Sequence, residues 1–179
     1  LPLSSPEMER AIVEPSDRYA IQFEPGLVAR IISDVNQQPG ALPLLQFALT
    51  ELFSKREKYL MTLAAYESFG GVLGALAQRA EELYTTLDSF SQAAAKQLFL
   101  RLVSMTEGAE DTRRRVTRTE LNSISTDKSI VQGVIDAFGK YRLLTFDYEP
   151  GTHTPTVEVA HEALIRVWKR LHDWLDTSR

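Results

Sequence analysis

The sequence predicts a mainly α protein in two small units: about four helices over 1–87, then a second helical unit over 88–179 that includes a small β-hairpin. Three observations carry this. Apolar residues recur at three- and four-residue spacing through most of the chain, the period of helices with one buried face. Two runs rich in β-branched or aromatic residues, RLLTFDY and PTVEVA, flank the turn residues Glu149-Pro150-Gly151-Thr152, which is hairpin chemistry. A length of 179 residues suits one ordinary domain or two small ones, compact domains running to about 100–150 residues.

Ser5-Pro6-Glu7 has the chemistry of a helix start, a capping hydroxyl followed by proline and an acid in the first turn, and the helix should stop before Pro15. Pro25 opens a second helix through Leu27, Val28, Ile31, Ile32 and Val35, closed by QQPG. A third, from Ala41, places Leu42, Leu45, Leu49, Leu52 and Phe53 on one face, with Pro43 tolerated in its first turn. After the Gly70-Gly71 break, Leu73, Leu76, Ala77, Ala80, Leu83, Tyr84 and Leu87 mark the next.

Asp88 or Ser89 caps the helix that follows, Ser89 and Gln92 fitting a capping box, with Phe90, Ala94, Leu98, Leu102 and Met105 as its buried face. EGAEDTRRR reads as a charged loop, Val116 as a short strand and Thr119-Glu120-Leu121 as a short helix. A longer helix buries Ile130, Val131, Val134, Ile135 and Phe138. Past the hairpin, HEALIRVWKRLHDWL forms one closing helix with Leu164, Val167, Trp168, Leu171 and Leu175 as its stripe. Helix, short helix, helix, hairpin, helix is winged-helix order.

Composition narrows the function classes. A net charge of −4 argues against a dedicated nucleic-acid binder, which needs a concentrated excess of cations. The absence of cysteine removes disulfides, thiolate metal sites and cysteine nucleophiles, and points to a cytoplasmic location. No apolar run approaches the roughly 20 residues that cross a bilayer. The opening LPL, without an initiator methionine, reads as a piece of a longer protein.

TVEVAHEALIRVW, Thr156 to Trp168, raises the question of what His161 is for. The pair His161-Glu162 suggests HExxH, the zinc motif, but the second ligand position is Ile165. His172, on one continuous helix, is about 16 Å further along at 1.5 Å per residue, so no metal bridges the two. A histidine in a helix's first turn meets unpaired N–H groups and the positive end of the dipole, where a neutral imidazole can donate to an anion. A cap or a partly buried structural histidine fits the same spacing, and spacing alone favours it.

DTRRRVTR supplies Arg113, Arg114, Arg115 and Arg118 beside the winged-helix order, which is one way to contact a DNA backbone. Glu107, Glu110 and Asp111 stand just before them, and the candidate recognition helix sets Lys128 and Lys140 against Asp127 and Asp136. A self-compensating solvated loop is the better reading. No GxxxxGK[ST], GxGxxG or GxSxG pattern appears, and no acid pair stands out.

Two stretches together resemble a known family. LPLLQFALTEL resembles the GLPLAL-type segment in the helical lid of STAND-class NTPases, the signal-transduction ATPases that include the NACHT and NB-ARC groups. AHEALIRVW resembles their MHD-type motif at the strand-to-helix junction of a winged-helix domain. The likeness is nearest the bacterial, notably cyanobacterial, novel-STAND proteins with WD repeats, and extends to TLAAYESFGGVLGALAQRAEELY, AAAKQLFLRLV and EDTRRRV.

What the resemblance implies is specific. In the family a lid proline packs on adenine and the MHD histidine bonds the β-phosphate of ADP, which carries over here to Pro43 and His161. The lid motif here reads Gly40-Ala41-Leu42-Pro43, one residue longer than GLP between its Gly and Pro, and the second reads Ala160-His161-Glu162 in place of Met-His-Asp.

The implied role is a regulatory segment, not catalytic alone, that senses ADP or ATP and couples nucleotide state to conformational switching. The P-loop, Walker B acids and Mg would come from an upstream ATPase core, and the isolated segment is expected to hold no nucleotide. Implied partners are that core, a downstream WD-repeat or other sensor domain, and further copies on activation; neither nucleic acid nor membrane is expected. The alternatives are a winged-helix DNA-binding regulator and a protein–protein adaptor.

Overall fold

The computed structural model describes residues 4–18, 21–36, 38 and 40–179. The protein is mainly helical, with ten helices and three small sheets among these residues. It divides between Ala75 and Leu76 into two compact units.

In the first unit, helix α1 (Ser5–Arg18) is capped one residue earlier than the sequence suggests. The Ser4 hydroxyl accepts from Glu7 N–H and donates to the Glu7 carboxylate, a reciprocal bond that Ser5 cannot make with a partner three residues on. The helix also continues through Pro15 instead of stopping before it. The N–H that Pro15 lacks would have met the Ala11 carbonyl, and both residues lie on the exposed side, where losing that bond costs least.

Helix α2 (Leu27–Asn36) buries Leu27, Ile31, Ile32 and Val35 as expected, while Val28 is half-buried. Of the QQPG stop behind it, Gln37 and Pro39 lie outside the described residues. Helix α3 (Ala41–Ser54) packs on α2 through a face rotated from the predicted one. Leu44, Phe47, Ala48 and Glu51 are buried with Leu45 and Leu52, whereas Leu42 and Phe53 are 42% and 43% exposed. The helix is apolar on nearly every side, so spacing alone admits more than one stripe, and the packing with α2 decides.

Strand β1 (Gln22–Phe23) pairs in parallel with β2 (Leu60–Met61). Thr62 then caps a short helix α4 (Leu63–Ser68), too brief for periodicity to announce. Helix α5 (Gly71–Thr86) starts on the second of two glycines at positive φ, Gly70 and Gly71, and the division between units falls inside it.

The second unit begins with the remainder of α5. Asp88 caps α6 (Ser89–Arg101) by accepting from Ser91 N–H, and Gln92 reaches back to the Tyr84 carbonyl instead of completing a box with Ser89. The buried face of α6 is Ala94, Ala95, Leu98 and Phe99, continued by Leu102; Phe90 and Met105 are exposed, against expectation. The charged stretch is closed at its base by two short strands, β3 (Val103–Ser104) and β4 (Thr112–Arg113), paired antiparallel. Alternating charge hid a pairing of only two residues per strand.

Strand β5 (Val116–Thr117), helix α7 (Arg118–Leu121) and helix α8 (Lys128–Lys140) come next, α8 burying Val131, Val134, Ile135 and Phe138. The hairpin is β6 (Leu144–Tyr148) and β7 (Pro155–Val159), in register Leu144↔Val159 to Tyr148↔Pro155. β5 joins the other edge of β7, giving the order β5-β7-β6.

The closing segment is two helices instead of one, α9 (Ala163–Val167) and α10 (Lys169–Ser178), separated by Trp168 in extended conformation at ψ 100°. Trp168 is 1% exposed and stands among Phe99, Trp174, Phe138 and Tyr84, with ring centroids 5.1, 5.5, 6.1 and 6.5 Å away. Burying an indole is worth about 4 kcal/mol, against about 1 kcal/mol for each helical bond forgone, so the break is favoured. Little is forgone, since Trp168 N–H still reaches the Leu164 carbonyl and its own carbonyl takes His172 N–H.

Arg142 ends α8 at φ 62°, with Leu143 N–H on the Phe138 carbonyl and Arg142 N–H on that of Gly139. This is the closing turn that glycine usually occupies. Arg142→Gly should therefore raise stability by about 1 kcal/mol, read from the urea midpoint; an unchanged or lowered midpoint would contradict the strain.

Candidate functional site

In the second unit, His161 lies between the end of β7 and the start of α9. β7 ends at Val159, and Ala160 N–H donates to the Leu143 carbonyl at 2.9 Å, tying the strand's exit to the turn after α8. His161 comes next, only 5% exposed. Its Nε2 lies 3.1 Å from the Arg142 carbonyl oxygen. A carbonyl only accepts, so the neutral ring carries its proton on Nε2.

Burial is the main cause that pushes the His161 pKa down from 6.5 to about 4, with the nearby Arg113 guanidinium acting the same way and the Arg142 carbonyl opposing them. The imidazole is therefore neutral at physiological pH, through burial and not through the helix dipole that its place in the sequence suggested. Its one N–H, however, serves the protein's own backbone.

The helix behind it differs from expectation. α9 has five residues, Glu162 gives its start no side-chain cap, and Leu164 and Ile165 N–H groups already donate to the carbonyls of His161 and Glu162. So short a helix carries little dipole. The Glu162 carboxylate instead accepts the main-chain N–H of Arg113 at 3.4 Å.

Arg113 and Arg142 are the two residues that sequence reasoning missed here. Arg113 donates through Nη1 to the carbonyls of Val159 at 3.2 Å and Ala160 at 3.4 Å, with a Glu158 carboxylate oxygen at 4.0 Å. A run of arginines was visible in the sequence, but not which one turns inward. For Arg142 the working group is the backbone carbonyl, which no side-chain pattern reports.

The other arginines are also spent within the chain. Arg114 binds Glu120 and the Arg101 carbonyl, Arg115 lies 3.9 Å from Asp147, and Arg118 meets Gln132. The charge is compensated, but by Glu120, Asp147 and Glu158 and not by Glu107, Glu110 or Asp111; Asp111 pairs with Arg179. His172 lies 3.2 Å from Asp176, and among the described residues no three His, Cys, Asp or Glu side chains gather as a metal site.

Pro43 belongs to the first unit. Gly40, at φ 66°, turns the chain into α3 and its carbonyl accepts Leu44 N–H at 3.3 Å. Pro43 falls among the first residues of the helix, where the missing N–H costs no bond, and it is exposed beside exposed Leu42. It does not line the apolar cleft of about 300 Å³ in this unit, formed by residues such as Ile12, Pro15, Leu49, Phe53 and Met61. Pro43 and His161 thus sit in separate units, and neither unit by itself assembles both.

No helix among the described residues is long and apolar enough to cross a membrane. Comparison with curated proteins and with solved structures gives no match. The family model described as Novel STAND NTPase 1 matches residues 1–179. That match spans both the α3 segment with Pro43 and the β7–α9 junction with His161, and on it the chain belongs to the Novel STAND NTPase 1 family.

Proposed function

We propose that the chain is a regulatory segment of a STAND signal-transduction ATPase, residues 1–87 serving as helical lid and 88–179 as a winged-helix domain. In this reading it responds to bound ADP or ATP and passes nucleotide state on as conformational change. The phosphate-binding loop and Mg are supplied by an ATPase core elsewhere in the parent protein. Support comes from family membership and from the element order of the second unit, α6, α7, α8, then a hairpin with a third strand. The proposed boundary leaves α5 wholly with the lid, whereas packing assigns its later turns to the second unit, where Arg170 of α10 binds Glu81 at 2.5 Å.

The observation that carries the reading is His161, a neutral imidazole at the point where β7 turns into α9. In the family this junction bonds the β-phosphate of ADP, and Pro43 offers an exposed apolar surface to adenine. The fit has one condition. Because the neutral ring's single N–H is on the Arg142 carbonyl, contact with a phosphate requires either exchange of that bond or uptake of a second proton. The ADP-holding state therefore differs from the present one at Arg142–His161.

In the full-length parent, His161→Ala should speed release of a fluorescent ADP analogue about tenfold or more, the worth of one bond to a charged group, and raise basal signalling. Unchanged release would remove the role assigned to His161.

A further inference from the structure

We infer that Arg113 is the positioning residue of the His161 junction, its guanidinium holding the carbonyls at the end of β7 so that the chain turns with the imidazole seated against Arg142. Its consequence for nucleotide rests on the reading above; the positioning itself does not.

The need for such a residue follows from the sheet. β5 pairs with β7 only at Thr156 and Val157, so past Val157 this side of β7 has no strand to bond its backbone. The Val159 carbonyl and that of Ala160 need donors, since backbone acceptors left unmet near a core are costly. Arg113 Nη1 supplies both, at 3.2 and 3.4 Å. The main chain of Arg113 is itself fixed, paired with Val103 across the β3–β4 ladder, and its N–H takes the Glu162 carboxylate at 3.4 Å.

One residue thereby ties the β3–β4 pair to both sides of His161, to residues 159 and 160 before it and to 162 after it. The charged groups at the junction are Arg113 from β4, Glu158 from β7 and Glu162 ahead of α9. Both bonds come from the two N–H groups of Nη1; a lysine keeps the charge, but its Nζ ends one bond short of that position and lacks the flat group that fixes the direction of those two donors.

The test is histidine-labelled NMR on the 179-residue chain, comparing wild type with Arg113→Gln and Arg113→Lys. In the wild type, His161 should show the Nε2–H tautomer, with a slowly exchanging ring proton. Arg113→Gln alone is ambiguous, because loss of the charge also moves the ring's titration. Arg113→Lys decides: it should lose the slow ring proton and speed amide exchange over Ala160–Ile165 by about tenfold or more, with the tryptophan-detected unfolding midpoint little changed.

If the lysine variant behaves as wild type, the guanidinium is not what seats the ring and the proposal is overturned; two silent variants overturn it equally. In the parent, Arg113→Lys added to His161→Ala should release ADP no faster than His161→Ala alone, because one acts through the other. Additive acceleration would overturn that coupling. Should His161→Ala leave release unchanged, the nucleotide reading fails while the positioning, read on the ring, stands.

Discussion

Trp168→Ala is expected to destabilise the second unit by about 3–5 kcal/mol, the range for truncating a large buried aromatic. Trp168 is 1% exposed and touches side chains from α5, α6, α8 and α10, so its removal opens a cavity that several elements would have to close together. It also removes the reason for the break between α9 and α10, since the extended residue is held there by burial of its indole. Both tryptophans, Trp168 and Trp174, lie in the second unit, so fluorescence of the remaining Trp174 follows that unit alone during urea unfolding. Trp168→Phe should cost much less than its lost volume suggests. The indole Nε1 makes no hydrogen bond to the protein, and phenylalanine removes that buried unpaired donor. A midpoint near wild type in Trp168→Ala would mean that the aromatic cluster does not hold this unit together.

The second large expected effect is on acid stability. His161 has a pKa of about 4 in the folded chain against 6.5 when unfolded. Between those values the unfolded chain binds the proton and the folded chain does not, so stability falls as pH is lowered through this window. The contribution is complete above about pH 6.5 and gone near pH 4, in total on the order of 3 kcal/mol. Carboxylates titrate in the same range, so the measurement is a difference: unfolding free energy from pH 7.5 to 4 for wild type and for His161→Gln. The wild-type curve should fall more steeply between pH 6.5 and 4, and the two should run parallel above. Parallel curves throughout would show that the ring is not held neutral by burial.

Much of the fold was legible because it rests on long periodic segments. The α2 stripe and the α8 stripe follow directly from spacing, and the hairpin from β-branched and aromatic runs on either side of Pro150-Gly151. Spacing failed where a helix is apolar on most sides, as in α3, whose buried face is set by α2. It failed again where tertiary burial overrode local periodicity, as at Trp168, which splits a segment patterned as one helix. Phe90 and Met105 continue the α6 stripe in sequence, but they lie past the ends of its packing surface and are exposed.

The site was legible in part. His161 stands out in the sequence by its place between a strand and a helix, but what keeps it neutral is burial, which that place does not reveal. Its bond to Arg142 was invisible, because the partner is a carbonyl oriented by a left-handed turn. Arg113 was visible only as one of a basic run, whose members separate into inward and surface roles once β3 and β4 pair.

The central claim, that this junction meets bound nucleotide, is tested most directly by the structure of the full-length parent with ADP. The account predicts a His161 ring nitrogen at about 3 Å from a β-phosphate oxygen, the Arg142 bond exchanged or the ring doubly protonated, and Pro43 against the adenine. A structure with ADP bound, His161 still buried on the Arg142 carbonyl and no phosphate oxygen within hydrogen-bond reach would contradict it.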